Sequence, residues 1–272
     1  MKHIPRKRFG QNFLVDRAVI ARIVDAIDPG PADQLVEIGP GLGALTGPLL
    51  ERVARLQVIE LDRDLAARLR ASYPPERLIV HEGDALRFDF SALAAPLRVV
   101  GNLPYNISTP LLFHMVAYAG CFTDLHFMLQ REVVERMVAA PSTSAYGRLS
   151  VMLQYRFRMQ KLLCVPSSAF RPVPKVASAV VRLVPLLRPD VLAHDESVFG
   201  QTVTRAFSHR RKTLRNALQG FLTDADLEAT GIDPGLRAEN LSVDEFVALS
   251  NRVNRVSSPA RAGRAGVGRQ TL

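Results

Sequence analysis

The chain has 272 residues, 47% of them hydrophobic and 22% charged, with a formal net charge of +9. That length suits one large domain or a large and a small one, and no apolar stretch approaches the roughly 18 residues that span a bilayer, so a membrane-spanning class is excluded. The two cysteines, Cys121 and Cys164, form no C-x-x-C pair and the six histidines show no ligand spacing, which excludes a zinc site or a disulfide framework. The basic N-terminus, MKHIPRKRFGQNF, lacks the apolar core of a signal peptide. A cytoplasmic, monomeric chain with no membrane partner is expected.

Along residues 34–130 short apolar runs alternate with helical patterns. QLVEIG, LQVIEL, LIVHEG, LRVVGN and DLHFMLQ are rich in Val, Ile and Leu and do not alternate with polar residues, as buried parallel strands should read. Between them LTGPLLERVA, DRDLAARLRASY and STPLLFHMVAYA carry apolar residues three and four apart and predict helices. Strand–helix repetition of this kind predicts an α/β, doubly wound sheet with right-handed crossovers. After Arg131, EVVERMVAA predicts a helix, 147–156 a further helical segment and 159–165 a strand; AFRPVPKVASAVVRLVP reads as a proline-studded loop entering a strand. From about residue 190 the patterns are helical: ESVFGQTVTRAF, KTLRNALQGFL, LTDADLEATG and SVDEFVALSNRV. The expected organisation is a sheet domain over 1–188, a small all-α C-terminal domain over 189–257, and a basic, disordered tail over 258–272.

Three strand ends carry ligand-type residues. VEIGPGLG (36–43) leaves the first strand and opens a helix; Gly39 and Gly41 let the backbone turn tightly and approach a ligand, although a glycine turn without a ligand reads the same way. Glu60, 21 residues after Gly39 at the end of the second strand, can accept from ribose hydroxyls, which suits a dinucleotide and S-adenosylmethionine equally. Pro40 favours the latter, because it removes a backbone N–H where a pyrophosphate would want donors. Asp84, in GDAL after the third strand, can accept from an adenine amino group or serve as a helix N-cap.

GNLPYNIS (101–108), directly after the fourth strand, is the most specific segment. The amino nitrogen of adenine is a poor nucleophile because its lone pair is delocalised into the ring, so a site must accept both its hydrogens to free that pair. The side-chain oxygen of Asn102 and the backbone carbonyl of Leu103 can do so. Pro104 fixes the local φ, and Tyr105 offers a flat face on which a base stacks, worth about 1–3 kcal/mol. This pattern is the signature of amino methyltransferases acting on adenine, cytosine or glutamine.

RFGQNFL (8–14), VEIGPGLGALT (36–46), VIELDRD (58–64), GDAL, GNLPYNIST (101–109), FRPVPKVASAVVRL (170–183) and AFSHRRKTLRNAL (206–218) together resemble the KsgA/RsmA ribosomal RNA adenine dimethyltransferases, over nearly all of the chain. The resemblance implies a Rossmann-like class I methyltransferase fold with S-adenosyl-L-methionine as cofactor. Asn12 and Leu14 would contact that cofactor, Gly39 would approach its methionine part, Glu60 would hold the ribose and Asp84 the adenine. Asn102 would touch both cofactor and target amine, Tyr105 would stack the base, and Phe170 would be a second aromatic wall. The implied reaction transfers four methyl groups, two to each of two adjacent adenosines in the 3′-terminal hairpin loop of small-subunit ribosomal RNA, within a pre-ribosomal particle.

Charge agrees with a polyanionic partner. Between Arg136 and Arg188 there is no Asp or Glu but nine Lys and Arg, equal to the whole surplus of +9. Arg205, Arg210, Arg211, Lys212 and Arg215 form a second cluster; on a helix, positions 208, 211, 212 and 215 would share one face and contact backbone phosphates. Arg6, Lys7 and Arg8 add a basic arm. The competing readings are an Erm-type enzyme acting on large-subunit RNA, a non-catalytic ribosome-assembly factor that keeps the fold, and a dinucleotide oxidoreductase.

Overall fold

The structure, a computed structural model, describes residues 12–186, 192–209 and 211–256. The arm Arg6–Arg8, the residue Arg210, the expected boundary at 188 and the tail 258–272 lie outside the described residues. Two compact units are present: one comprises residues up to Ala139 together with Leu153–Leu186, the other Ala140–Met152 and the chain beyond Leu186.

The first unit begins with a two-residue strand, β1 (Phe13–Leu14), and helix α1 (Arg17–Ile27). Asp16 caps α1 by accepting from the N–H groups of Ala18 and Val19, and Val19, Ile23, Val24 and Ile27 form its buried stripe. Asp28, at φ 48°, ends it. There follow β2 (Leu35–Ile38), α2 (Thr46–Leu50), β3 (Leu56–Glu60), α3 (Arg63–Ser72), β4 (Leu78–Glu82), β5 (Leu97–Asn102), α4 (Ser108–Ala117), β6 (Phe122–Gln130), α5 (Arg131–Met137), α6 (Arg148–Gln154), β7 (Phe157–Val165), β8 (Phe170–Arg171) and β9 (Ser178–Pro185).

Seven strands make one sheet in the order β4-β3-β2-β5-β6-β9-β7. The first five are parallel; β9 runs antiparallel to both β6 and β7. The chain moves outward from β2 through β3 to β4, then returns to lay β5 on the other side of β2. This reversal leaves a crevice beyond the carboxyl ends of β2 and β5, the place where open sheets bind ligands. Every residue of β2 is buried, as its unbroken apolar reading requires. At the opposite ends of the strands, Asp124 on β6 is 1% exposed and accepts from Arg98 Nε at 2.9 Å and Arg182 Nη2 at 2.9 Å. Arg98 also reaches Asp33 at 2.7 Å, so β5, β6 and β9 are tied together by buried charge.

In the second unit α7 (Glu196–Ala206), α8 (Leu214–Ala217), α9 (Asp224–Glu228) and α10 (Val243–Val256) are joined by the segment 140–152, which carries most of α6. That segment belongs there because the Tyr146 ring, 2% exposed, lies 6.3 Å from Phe207, and the Ser142 N–H donates to the Glu239 carbonyl at 2.7 Å.

Two expected helices are much shorter than their patterns. LTGPLLERVA is helical only over Thr46–Leu50, because the Arg77 guanidinium donates to the Leu50 and Val53 carbonyls and closes the turn that follows. KTLRNALQGFL is helical only over Leu214–Ala217: Thr213 is extended and bridges to Arg237, and Gly220 takes φ 76°. Positions 208, 211, 212 and 215 therefore do not share a helix face, which corrects the expectation for that cluster.

Candidate active site at the strand ends

The crevice at the switch point is lined by the loops leaving β2, β3, β4 and β5 and by residues 12–14. Gly39 and Gly41 take φ 66° and 59°, a region that only glycine enters cheaply. The Gly39 N–H donates to the Ile59 carbonyl at 2.9 Å, pinning the turn to β3. A Cβ on Gly39 would meet no protein atom within 4 Å, so it would project into the cavity itself.

Four carboxylates line this cavity, Glu37, Glu60, Asp62 and Asp84, and among the described lining residues there is no Lys, Arg or His. Glu60 is 6% exposed; its Oε2 accepts from the Gly41 N–H at 3.0 Å and its Oε1 from the Asp62 N–H at 2.8 Å. Burial lifts its carboxyl above the usual range, and these two N–H bonds offset part of that rise. Asp84 Oδ1 accepts from the Leu86 N–H at 3.0 Å, so it does cap the turn after β4, and its second oxygen remains for another donor. The residue that sequence reasoning missed is Glu37. It is 2% exposed, accepts from Thr46 Oγ1 at 2.7 Å, and is pushed up to about 7, chiefly by burial. Its only signal in the sequence is an acid inside an apolar strand.

The GNLPYNIS turn is held from three sides. The Leu103 N–H donates to the Met128 carbonyl at 3.1 Å, fixing the turn to β6. Asn102 Nδ2 donates to the Asn12 carbonyl at 3.3 Å, which leaves Oδ1 as the acceptor. The Tyr105 hydroxyl lies 2.8 Å from Ser178 Oγ at the start of β9, and Ser108 Oγ donates to the Tyr105 carbonyl at 2.9 Å. The Leu103 side chain is 1% exposed, so this residue offers its backbone rather than its side chain.

Asn12, Leu14, Gly39, Gly41, Glu60, Asp84, Asn102, Leu103, Pro104 and Tyr105 thus line a single cavity. Phe170 does not. It is 1% exposed and sits in the core with Leu14, Val19 and Ile23, because the pairing Leu14↔Phe170 of β1 with β8 turns its ring inward. The expected second aromatic wall is therefore not at the cavity. The cluster Arg205, Arg211, Lys212 and Arg215 lies in the second unit. Arg205 stacks on the Phe221 ring at 4.5 Å and Arg215 pairs with Asp224 at 2.7 Å, while Arg211 and Lys212 are exposed.

The sequence profile of the family described as "Ribosomal RNA adenine dimethylase" matches residues 2–255. The chain is 60% identical over 254 residues to the ribosomal RNA small subunit methyltransferase A of Chromobacterium violaceum, covering 93% of this chain and 97% of that protein. It is 60% identical over 261 residues to the protein of the same name from Aromatoleum aromaticum, covering 96% and 98%. Among solved structures it is similar to a dimethyladenosine transferase from Plasmodium falciparum, with TM-score 0.77 and 25% identity over 90% of this chain and 98% of that one. The 23S rRNA methyltransferase ErmE follows, with TM-score 0.69 and 26% identity over 89% and 100%. With its cavity, its strand-end carboxylates and its Asn-Leu-Pro-Tyr turn, the chain belongs to the ribosomal RNA adenine dimethylase family.

Proposed function

We propose that this chain transfers methyl groups from S-adenosyl-L-methionine to the N6 atoms of two adjacent adenosines in the 3′-terminal hairpin loop of small-subunit ribosomal RNA, acting as a monomer on a pre-ribosomal particle. The observation that carries the reading is one cavity in which four carboxylates and no described basic side chain adjoin a turn with two neutral acceptors and an aromatic face. Its acidity suits a cofactor with a sulfonium and an ammonium group and opposes the pyrophosphate of a dinucleotide. The open space at the Gly39 Cβ position and the unused oxygen of Asp84 fit the cofactor's methionine and adenine ends.

When bound, S-adenosylmethionine supplies an electrophilic methyl group. Glu60 would hold the ribose hydroxyls on the lone pairs that Gly41 and Asp62 leave open, and Asp84 would accept from the adenine amino group of the cofactor. Asn12, just before β1, and Leu14, within it, line the cavity and would contact the cofactor. At the target, Asn102 Oδ1 and the Leu103 carbonyl each accept one N6 hydrogen, so the lone pair turns out of the ring plane, while Pro104 holds that carbonyl in place. Tyr105 stacks the extruded base. In each transfer the N6 lone pair forms an N–C bond as the sulfur–carbon bond of the methyl breaks, and one N–H proton passes to water. Arg211 and Lys212, with Arg205, Arg210 and Arg215, contact backbone phosphates and read no sequence.

The 60% identity to small-subunit enzymes against 26% to ErmE favours the small subunit over the large one. The test is transfer of labelled methyl groups to small-subunit particles from a strain lacking the modification, with large-subunit RNA in parallel. Incorporation into adenosine of the small subunit, lost in Asn102→Ala, is expected. Incorporation only into the large subunit, or equal incorporation by Asn102→Ala, would overturn the reading.

A further inference from the structure

We infer that Ser178 is a positioning residue that fixes the ring plane of Tyr105 through their shared hydrogen bond, and that the second methylation of each adenine depends on it more than the first. The inference rests on the methyl-transfer reading above.

Ser178 is the first residue of β9. It is paired on one side to Gln130 of β6 and on the other to Val165 of β7, and it is 0% exposed. A hydroxyl so placed is costly unless bonded, and its partner is the Tyr105 hydroxyl, 2.8 Å away and 73 residues distant in sequence. Tyr105 itself stands on a turn, half-buried, with its backbone tied by Ser108. Its ring can still rotate about the side-chain torsions, and the bond to a strand in the middle of three selects one rotamer. Phe170 is withdrawn into the core, so no ring from β8 braces the base from the other face.

The two transfers differ in how the base is held. In the first, N6 carries two hydrogens, and Asn102 and Leu103 accept both. After one methyl is added a single hydrogen remains, so one acceptor is idle and the stacking plane carries more of the alignment. Each step forms one N–C bond, breaks one sulfur–carbon bond and releases one proton to water. Untying Tyr105 should therefore slow the second step about three- to ten-fold, the size of one ordinary hydrogen bond, and the first step less than about two-fold.

The test uses the full chain and unmethylated small-subunit particles, with mono- and dimethyladenosine measured by nucleoside mass spectrometry. Ser178→Ala, Tyr105→Phe and the double variant are each expected to accumulate monomethyladenosine, to the same ratio, with unchanged affinity for S-adenosylmethionine by calorimetry. The ratios are compared at equal total methylation, where a variant that is merely less folded gives the wild-type ratio. Tyr105→Phe removes only a hydroxyl from a half-buried ring, so it decides the matter if Ser178→Ala does not fold. A wild-type ratio in Tyr105→Phe, or a double variant worse than either single one, overturns the inference while wild-type dimethylation stands. A wild-type protein that methylates no adenine overturns the functional reading and this inference with it.

Discussion

Gly101→Ala tests whether the site is built by the close approach of β2 and β5. A Cβ at Gly101 would lie 2.8 Å from the Ile38 carbonyl oxygen and 2.9 Å from Leu103 Cδ2, where ordinary contact begins at 3.4 Å. About 0.5 Å of movement is needed, and neither neighbour yields easily. Ile38 ends a wholly buried strand and meets the new Cβ through its backbone oxygen, and Leu103 is 1% exposed. Overpacking of this kind costs about 1–3 kcal/mol, or roughly 2–10 °C in melting temperature. The catalytic consequence is larger than the thermal one. The displaced groups are those next to Gly39 and those that carry the Leu103 carbonyl, and a misplacement of about 1 Å costs on the order of 100-fold in rate, so half of it costs about ten-fold. Single-turnover methyl transfer, calorimetry with S-adenosylmethionine and a melting scan on the same preparation measure the three effects. A variant that melts several degrees lower yet transfers at the wild-type rate would refute the reasoning, since the strain would then be absorbed away from the turn.

Asp84→Asn keeps the oxygen that caps Leu86 but turns an NH2 toward the cofactor's amino group; calorimetry should show affinity about 10- to 100-fold weaker with the melting temperature unchanged. Glu37, pushed up to about 7 by burial, must lose its proton to favour a cationic ligand, so affinity for S-adenosylmethionine should rise by up to about ten-fold from pH 6 to 8, and Glu37→Gln should lose that part of the slope. Asp124→Asn leaves Arg98 short of its buried partner and should cost about 3 kcal/mol in denaturant titration at pH 7. The Asp124 carboxyl is held below its usual range, because its bonds to Arg98 outweigh its burial. Its contribution is therefore complete above about pH 4 and fades as pH falls further, a fade that the variant should lack. RNA affinity should fall steeply between about 50 and 200 mM salt, and Arg211→Ala with Lys212→Ala should reduce the slope of log affinity against log salt by about 2 in a filter-binding series.

What was legible in the sequence follows from what is local. The parallel strands announce themselves because burial on both faces leaves no polar alternation, and the cavity-lining residues at their carboxyl ends can then be read by position: Gly39 after β2, Glu60 closing β3, Asp84 after β4, Asn102 closing β5. Glu37 was hidden by the same rule, since an acid inside LVEI looks like a strand interior until the cavity behind it is seen. Contacts between distant segments were out of reach. Nothing near Ser178 points to Tyr105, and nothing in FRPVPK shows that pairing with Leu14 turns Phe170 away from the cavity. Helix ends differ from their patterns where a remote side chain intervenes: Arg77 bonds the Leu50 carbonyl at the end of α2 and the Val53 carbonyl beyond it, although the apolar pattern runs on to Val53. The membership of 140–152 in the second unit depends on Tyr146 meeting Phe207, again a contact between separated segments.

The charges of this chain are sorted in a way that bears on which part of an RNA can enter. The surplus is +9 overall, yet the cavity is lined by Glu37, Glu60, Asp62 and Asp84 with no described cation among them. Two like charges about 4 Å apart repel by about 4 kcal/mol at the effective dielectric of a protein surface. A phosphate is thus kept out of the cavity whose acids attract a cationic cofactor, and a neutral base is the part of a nucleotide that can approach. The border between the two regimes is the Asn102–Tyr105 turn, whose groups are an amide, a carbonyl and a phenol. A carboxylate in place of Asn102 would accept the amine's hydrogens more strongly, but it would add a further negative charge beside the incoming RNA. The neutral amide accepts the hydrogens without that penalty, and the proton released at N6 is left to water.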